Sequence, residues 1–273
     1  MLFVVLGSGV VHALWNAITK AAKDRIVIMG GIGAAITLCG AVLLPVIGMP
    51  ARDAIVFAVV SAVIHIGYDL LLVNAYRLGD FNQAYPVARG TSPLVVTLGA
   101  FIFVSETPSP LELAGVVVLA AGLMSLAFSS GFRRAETPAL AAAVATGLAI
   151  ACYSIVDGIG ARHSGDALSY AAFLFVMEGP GLMATAAIAR RGTPFLATRT
   201  VRVGFLAGFL SFAAYTAVLW AQTKAPLAEV SALRETGVIS AAVIGALFFK
   251  EGFGARRVLA AVIVAAGIVL IGL

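Results

Sequence analysis

The chain has 273 residues, of which 61% are hydrophobic and 11% are charged, and its formal net charge is +5. A soluble domain carries about 25% charged residues, so this composition excludes a soluble globular fold and predicts a polytopic membrane protein. The positive charges lie in short connectors between apolar segments, which is typical of membrane topology signals rather than of nucleic-acid binding.

Ten apolar segments, each close to the roughly 20 residues that cross a bilayer, are predicted to be transmembrane helices. Their approximate boundaries are 2–20, 26–47, 54–76, 83–104, 112–129, 138–160, 168–189, 203–223, 229–249 and 256–273. No basic residue precedes the first segment, so we interpret it as a retained membrane helix rather than a signal peptide. The connectors are short, which argues against a soluble catalytic domain.

The two halves of the chain repeat one another. Residues 87–127 align with residues 232–272 at a constant offset of 145 and without a gap. The aligned non-aliphatic pairs are Arg89 with Arg234, Thr91 with Thr236, Phe103 with Phe248, and Glu106 with Glu251. Because each half contains five helices, an odd number, the second half is predicted to enter the membrane inverted. Inverted repeats are typical of secondary transporters, whose sites lie near the bilayer midplane between the repeats.

The predicted fold is therefore an all-α membrane protein with ten transmembrane helices in two inverted five-helix repeats. We assign the first repeat to residues 1–129, the linker to residues 130–137 and the second repeat to residues 138–273. Connectors after odd-numbered helices hold 13 Lys and Arg residues and those after even-numbered helices hold 3. Because positive charge prefers the cytoplasmic side, this count places both termini outside the cytoplasm.

Six short motifs stand out along the chain. They are HALWNAITK in helix 1, YPVARGTSP in helix 4, SE at 105–106, YSIVDGIGAR in helix 6, ALRETG in helix 9 and KE at 250–251. Together they resemble the drug/metabolite transporter superfamily, EamA type, over essentially the whole chain. The chain is also similar to a branch labelled as phosphonate-utilisation-associated membrane proteins. The resemblance implies a ten-helix secondary carrier of small metabolites with both termini in the cytoplasm, which disagrees with the charge count.

Arg89 and Arg234 stand inside otherwise apolar segments, in the first turns of predicted helices 4 and 9. Pro86 is predicted to lie in the first turn of helix 4. An arginine on the lipid face costs several kcal/mol, so both side chains are predicted to face the bundle interior. One interpretation is that they bind an anionic group of the substrate, because the guanidinium donors match carboxylate or phosphonate oxygens. The alternative is that each snorkels to an interface or pins two helices through a carboxylate.

Four carboxylates lie inside the predicted helices: Asp69, Asp157, Glu178 and Glu235. Ionised carboxylates without partners are costly in this medium, so some are predicted to be protonated at rest. Asp69 and Asp157 are the candidate carriers of a coupling proton, and a helix-to-helix hydrogen bond is the alternative for each. His65 and Glu235 complete the set that we assign to proton coupling or charge pairing.

Polar and aromatic side chains share single faces of several helices and are predicted to line the interior. The predicted substrate-binding residues are His12, Trp15, Asn16, Tyr85, Arg89, Tyr153, Tyr215 and Arg234. For the tyrosines and tryptophans, a place in an interfacial belt is the alternative.

These features predict a multi-pass plasma (inner) membrane transporter that moves a small anionic or zwitterionic metabolite by alternating access, with proton coupling left open. No phosphate loop, catalytic carboxylate pair or metal-ligand cluster occurs in the sequence, so no enzyme activity, cofactor or metal is predicted. The expected partners are a small-molecule substrate and the lipid bilayer, with no nucleic acid, and the expected state is a monomer or weak homodimer. Three alternatives remain: a flippase of a lipid-linked substrate, an exporter of lipophilic cations, and a membrane hydrolase that uses His65 and Asp69.

Overall fold

The computed structural model describes residues 1–22, 24–78, 81–127, 137–190, 199–240 and 255–271, and within these ranges it contains helices and no strand. The helices are α1 (Leu2–Ala21), α2 (Arg25–Ile47), α3 (Arg52–Leu78), α4 (Phe81–Val104), α5 (Pro110–Ala127), α6 (Thr137–His163), α7 (Ala167–Arg190), α8 (Arg199–Gln222), α9 (Leu227–Arg234) and α10 (Ala255–Ile271). Apart from the end of α9, every boundary lies within about four residues of its predicted position. The all-helical prediction is confirmed. The motif at 250–251 and nearly all of the predicted linker lie outside the described residues.

The predicted ninth segment, 229–249, is interrupted about a third of the way along. Helix α9 ends at Arg234, Glu235 forms a turn, and residues 236–240 are helical again. The amide of Val238 bonds to the carbonyl oxygen of Glu235 over 2.9 Å, a three-residue spacing that marks a tightened turn. Arg234 therefore lies at the end of α9, and the prediction that it lies in a first helical turn is wrong.

Helix α4 also differs from its prediction in one respect. It begins at Phe81 and continues through Pro86, so neither Pro86 nor Arg89 belongs to its first turn. The missing amide of Pro86 removes one backbone hydrogen bond, but this does not end the helix.

Among the described helices, seven, α1 to α4 and α6 to α8, are long and apolar enough to cross a membrane. Large apolar side chains cover the outside of these helices; for example, Phe3, Val46 and Ile188 are 86%, 81% and 74% exposed. Charged side chains such as Arg89 and Asp157 are buried instead. This distribution reverses that of a soluble protein and suits a lipid surround.

The helices form two compact units, and each unit draws on both halves of the sequence. The first unit comprises mainly residues 3–66 and 156–224, which contain α1, α2, most of α3, the second part of α6, α7 and α8. The second unit comprises residues 67–155 and the described part of 225–273, which contain the end of α3, α4, α5, the first part of α6, α9 and α10.

In the first unit, α2 packs against α7 and α8. The pair Gly204 and Gly208 lies on the α8 side of this contact, where an added methyl group would collide with carbonyl oxygens of α2. This GxxxG pair therefore packs α8 closely against α2. An ion pair joins Asp24, which precedes α2, to Arg190, which ends α7, so these two helices run antiparallel.

In the second unit, α4 packs against α9, and α5 packs against α10. The Oε2 atom of Glu106, just after α4, accepts a hydrogen bond from the amide of Leu227, at the start of α9, over 2.8 Å. Gly115, early in α5, lies against Gly267, late in α10. Both pairs are therefore antiparallel, as are α2 and α7. Each pair joins equivalent helices of the two halves, as an inverted repeat requires, and the assignment of the repeats to residues 1–129 and 138–273 stays a prediction.

Candidate functional site

A buried ion pair connects α4 to the turn that follows α9. Nε of Arg89 lies 2.8 Å from Oε2 of Glu235, and the two side chains are 4% and 2% exposed. Nη2 of Arg89 also donates a hydrogen bond of 3.3 Å to the backbone carbonyl oxygen of Arg234. The interruption of the ninth segment matters here, because it presents both Glu235 and a backbone carbonyl to one guanidinium.

Arg234 adds a second buried guanidinium to this region. Its Nη1 donates a hydrogen bond of 3.3 Å to the hydroxyl of Ser154 on α6, and the residue is 5% exposed. Together, Arg89, Arg234 and Glu235 carry a formal charge of +1. At the 145-residue offset, Gly90 occupies the position that is equivalent to Glu235, so only the second repeat supplies a carboxylate at this place.

Tyrosine side chains surround the guanidinium of Arg89. The Arg89 guanidinium carbon is 5.9 Å from the ring centroid of Tyr85, and Tyr68 and Tyr153 pack edge to face with ring centroids 5.4 Å apart. All three phenols are near enough to interact electrostatically with Arg89. We call this group the arginine cluster; its members are Tyr68, Tyr85, Arg89, Tyr153, Ser154, Arg234 and Glu235.

A second polar group lies in the first unit around Asp157 of α6. Its Oδ1 accepts a hydrogen bond of 2.9 Å from the hydroxyl of Tyr170 on α7, and its Oδ2 accepts one of 2.5 Å from the hydroxyl of Tyr215 on α8. The ring of His65 on α3 packs edge to face on Tyr215, with centroids 5.3 Å apart. We call these four residues the aspartate cluster. Hydrogen bonds from two phenols stabilise an ionised carboxylate.

The comparisons with known proteins can be set against this geometry. Residues 137–273 match the model of the EamA-like transporter family. The chain belongs to this family. As an EamA-like transporter it is a multi-pass membrane protein of a transporter family, not of an enzyme family. A solved structure titled "Crystal structure of protein" is similar over 100% of this chain and 98% of its own, with a TM-score of 0.78 and 17% identity, and shows the fold alone. A comparison with curated proteins gave no match.

The structure of this EamA-like transporter groups most of the predicted site residues into the two clusters. Tyr85, Arg89, Tyr153, Arg234 and Glu235 belong to the arginine cluster. His65, Asp157 and Tyr215 belong to the aspartate cluster. Their roles in binding or coupling stay predictions. For Arg89 the geometry matches the alternative interpretation, in which the arginine pins two helices through a carboxylate.

The three predicted residues of helix 1 form a local group. The indole Nε1 of Trp15 donates to Nδ1 of His12 over 3.2 Å, and Nδ2 of Asn16 donates to the carbonyl oxygen of His12 over 2.9 Å. In the described residues, the hydrogen bonds of Trp15 and Asn16 therefore stay within α1. The sequence pattern predicts that these side chains share one face of the helix, and they do lie together. These hydrogen bonds link them to neither cluster.

Sequence reasoning missed Tyr68, Ser154 and Tyr170. Tyr68 and Ser154 directly precede or follow predicted residues, so neither has a separate sequence signal. Tyr170 lies near the start of α7, where a tyrosine normally indicates a membrane interface. Gly160 of α6 leaves room for this side chain, because an added methyl group there would lie 2.5 Å from the hydroxyl oxygen of Tyr170, but this contact is visible only in the structure.

Asp69 on α3 differs from Asp157 and Glu235 among the predicted carboxylates. The residue is 7% exposed, directly follows Tyr68 of the arginine cluster, and belongs to neither cluster. Its role in proton coupling or charge pairing stays a prediction.

Proposed function

We propose that this EamA-like transporter moves a small anionic or zwitterionic metabolite by alternating access and binds its anionic group at the arginine cluster. The observation that carries the proposal is the meeting of two buried guanidiniums, Arg89 and Arg234, in one cluster. The donors of a guanidinium match the oxygens of a carboxylate or phosphonate group. An anionic group of the substrate therefore suits this cluster.

Within the cluster, the two arginines suit different tasks. Arg89 is engaged by Glu235 at 2.8 Å and by the Arg234 carbonyl oxygen at 3.3 Å, so we assign it to positioning. The hydrogen bond from Arg234 to Ser154 is long, at 3.3 Å, and its acceptor is neutral. A carboxylate or phosphonate oxygen is a stronger acceptor than a hydroxyl, so we assign substrate binding to Arg234.

Alternating access is supported by the antiparallel pairing of equivalent helices. In transporters built from inverted repeats, the substrate site lies where the repeats meet, and the two repeats exchange conformations during the cycle. The arginine cluster meets this condition because it joins α4 to the turn after α9, the fourth and ninth helices of a five-plus-five arrangement.

The test is ligand-induced thermal stabilisation of the purified full-length protein. The ligands are amino acids, dicarboxylates, phosphonates and organic cations, and the variants are Arg234→Ala and the exposed control Arg77→Ala. A ligand at 100 times its Kd stabilises the native state by about 2.7 kcal/mol. We expect an anionic or zwitterionic ligand to raise the melting temperature of the native protein and of Arg77→Ala, and not that of Arg234→Ala. Stabilisation that survives in Arg234→Ala contradicts the assigned site.

Export of lipophilic cations is the second candidate, and Asp69 favours it. A buried carboxylate next in sequence to the aromatic Tyr68 is a suitable counter-charge for an organic cation. In the same experiment, this candidate predicts stabilisation by organic cations that is lost in Asp69→Asn and kept in Arg234→Ala. The buried positive charge of the arginine cluster makes this function the weaker one, because like charges repel.

A further inference from the structure

Three buried polar atoms lie in the contact between α4 and the ninth segment without a hydrogen bond. Ser92 of α4 and Glu235, in the turn after α9, are each 1% exposed. Within the described part of the chain, Oγ of Ser92 and Oε2 of Glu235 have no hydrogen-bond partner. Oε2 lies 2.8 Å from Nε of Arg89, but Nε also makes no hydrogen bond, so the donor of this ion pair is not directed at its acceptor. Buried polar atoms of this kind are rare in folded proteins.

The three atoms belong to one face of α4. Arg89, Ser92 and Val96 follow one another at spacings of three and four residues and so form one stripe of the helix. Arg89 contacts Glu235, and Val96 shares a hydrophobic cluster with Leu227 of α9. Ser92 lies between these two residues on the stripe, so it belongs to the face of α4 that meets α9. The unused hydrogen-bonding capacity is therefore concentrated where the two repeats meet.

Both segments depart from a regular helix at this contact. Pro93 has no amide hydrogen for the carbonyl oxygen of Arg89, four residues earlier in α4. The interruption after α9 directs the carbonyl oxygen of Arg234 at the guanidinium of Arg89. Discontinuous helices typically form the substrate sites of secondary transporters. The polar atoms without hydrogen bonds thus lie where the backbone geometry favours a binding site.

From these observations we propose that Glu235 binds an ammonium group of the substrate, so that the arginine cluster selects zwitterions over anions of the same shape. The proposal rests on the proposed function, in which Arg234 binds the anionic group. An ammonium group has three donors and no acceptor. It therefore complements the carboxylate oxygen of Glu235 and the hydroxyl oxygen of Ser92, both of which accept hydrogen bonds. The ligand reaches them in a conformation of the transport cycle that opens the contact between α4 and α9.

The charges of the cluster favour such a ligand over one that has only anionic groups. A dianion would place its second negative charge near the carboxylate of Glu235, and like charges repel. The two oxygens of a carboxylate offer about four acceptor sites, so Glu235 can bind an ammonium group beside Arg89, which also keeps the carbonyl oxygen of Arg234 as an acceptor. Arg234 and Glu235 thus supply the two opposite charges that a zwitterion requires.

Isothermal titration calorimetry on the purified full-length protein tests this selection with matched ligands that differ in the amine alone. The pairs are L-phenylalanine with 3-phenylpropionate, L-aspartate with succinate, and aminomethylphosphonate with methylphosphonate. In at least one pair we expect the amine-bearing ligand to bind roughly 10- to 100-fold more tightly, the factor that one hydrogen bond to a charged group supplies. If the amine-bearing ligand binds no more tightly than its partner in any pair, absence of binding included, the proposal is overturned.

Variants of Glu235 assign the selection to this residue. Glu235→Gln is expected to bind both members of the selected pair with similar affinity, whereas Asp53→Asn, which removes an exposed carboxylate, is expected to keep the preference. Arg89→Met with Glu235→Leu covers the case in which Glu235→Gln does not fold, because it leaves neither charge of the pair behind. This double variant is also expected to lose the preference.

A preference for the amine that persists in these variants overturns the proposal. The proposed function is judged separately, by whether binding of the anionic group is lost in Arg234→Ala. Binding that requires Arg234 but ignores the amine therefore refutes the role of Glu235 and leaves the proposed function in place.

Discussion

Arg89 and Arg234 occupy equivalent positions of the two repeats, and the guanidinium of the first donates a hydrogen bond of 3.3 Å to the backbone carbonyl oxygen of the second. The two repeats therefore meet at their own equivalent arginines. A change that moves one of these residues is expected to disturb the other, because Arg89 also holds Glu235, the residue that follows Arg234.

Removal of the Glu235 charge is expected to destabilise the protein strongly. Glu235→Gln leaves the guanidinium of Arg89 buried without its counter-charge, and breaking a buried ion pair in this way costs about 3–5 kcal/mol. The double variant Arg89→Met with Glu235→Leu removes both charges and is expected to cost less than Glu235→Gln alone. Denaturant unfolding in a mild detergent measures both effects.

The exposed ion pair between Arg190 and Asp24 supplies the control for this prediction. Its side chains are 45% and 29% exposed, so Arg190→Gln is expected to cost less than about 1 kcal/mol. If Glu235→Gln and Arg190→Gln lower the free energy of unfolding by equal amounts, Arg89 and Glu235 do not form the buried ion pair described above.

Each phenol hydrogen bond to Asp157 is expected to stabilise the first unit. Tyr170→Phe and Tyr215→Phe each remove one donor from a buried carboxylate, and hydrogen bonds to charged groups are worth about 1.5–3 kcal/mol. In an Asp157→Asn background the same changes are expected to cost less, because the acceptor is then neutral. A double-mutant cycle on unfolding free energies measures the coupling, and additive costs argue against these bonds.

Gly160→Ala is expected to disrupt the same cluster through sterics alone. The new methyl group would lie 2.5–2.6 Å from three atoms of the Tyr170 ring and hydroxyl, and Tyr170 is fully buried. Crowding of this kind costs about 1–3 kcal/mol. Gly7→Ala in α1 is the matched control, because nothing lies within 4 Å of the added methyl group. The control is expected to be neutral or to gain up to about 1 kcal/mol of helix propensity, and a similar gain for Gly160→Ala refutes the packing argument.

Glu106 is expected to stabilise α9, although it is distant from that helix in the sequence. Its carboxylate accepts a hydrogen bond of 2.8 Å from the amide of Leu227, the first residue of that helix. Loss of such a cap lowers the free energy of unfolding by about 0.5–2 kcal/mol. Glu106→Ala is expected to show this cost in thermal unfolding. Glu106→Gln is expected to lose less, since the amide oxygen still accepts. A Glu106→Gln variant that is as unstable as Glu106→Ala indicates that the charge, rather than the hydrogen bond, matters.

The fold could be predicted because each membrane helix requires a run of about 20 mostly apolar residues, which is visible in the sequence. Apolar runs of span length mark the helices, and the 145-residue offset that relates Arg89 to Arg234 also relates the starts of α5 and α10 at Pro110 and Ala255. Intramembrane charges were equally visible, since each is costly unless it is buried with a partner. The choice of partner was not visible. Glu235 pairs with Arg89 because the turn after α9 lies against α4. Tyr170 bonds to Asp157 because α7 lies near α6. The pattern of apolar and polar residues does not show which helices are neighbours.

The difference between Gly90 and Glu235 has a consequence for the direction of transport. Under the proposed alternating access, a perfect duplication would relate the outward-open and inward-open states by a two-fold rotation and give them equal free energies. A carboxylate in only one repeat removes that equivalence, because exchanging the roles of the two repeats does not restore the same arrangement of charge. In the proposed mechanism, this difference makes the two resting orientations unequal in free energy before any gradient acts on the protein.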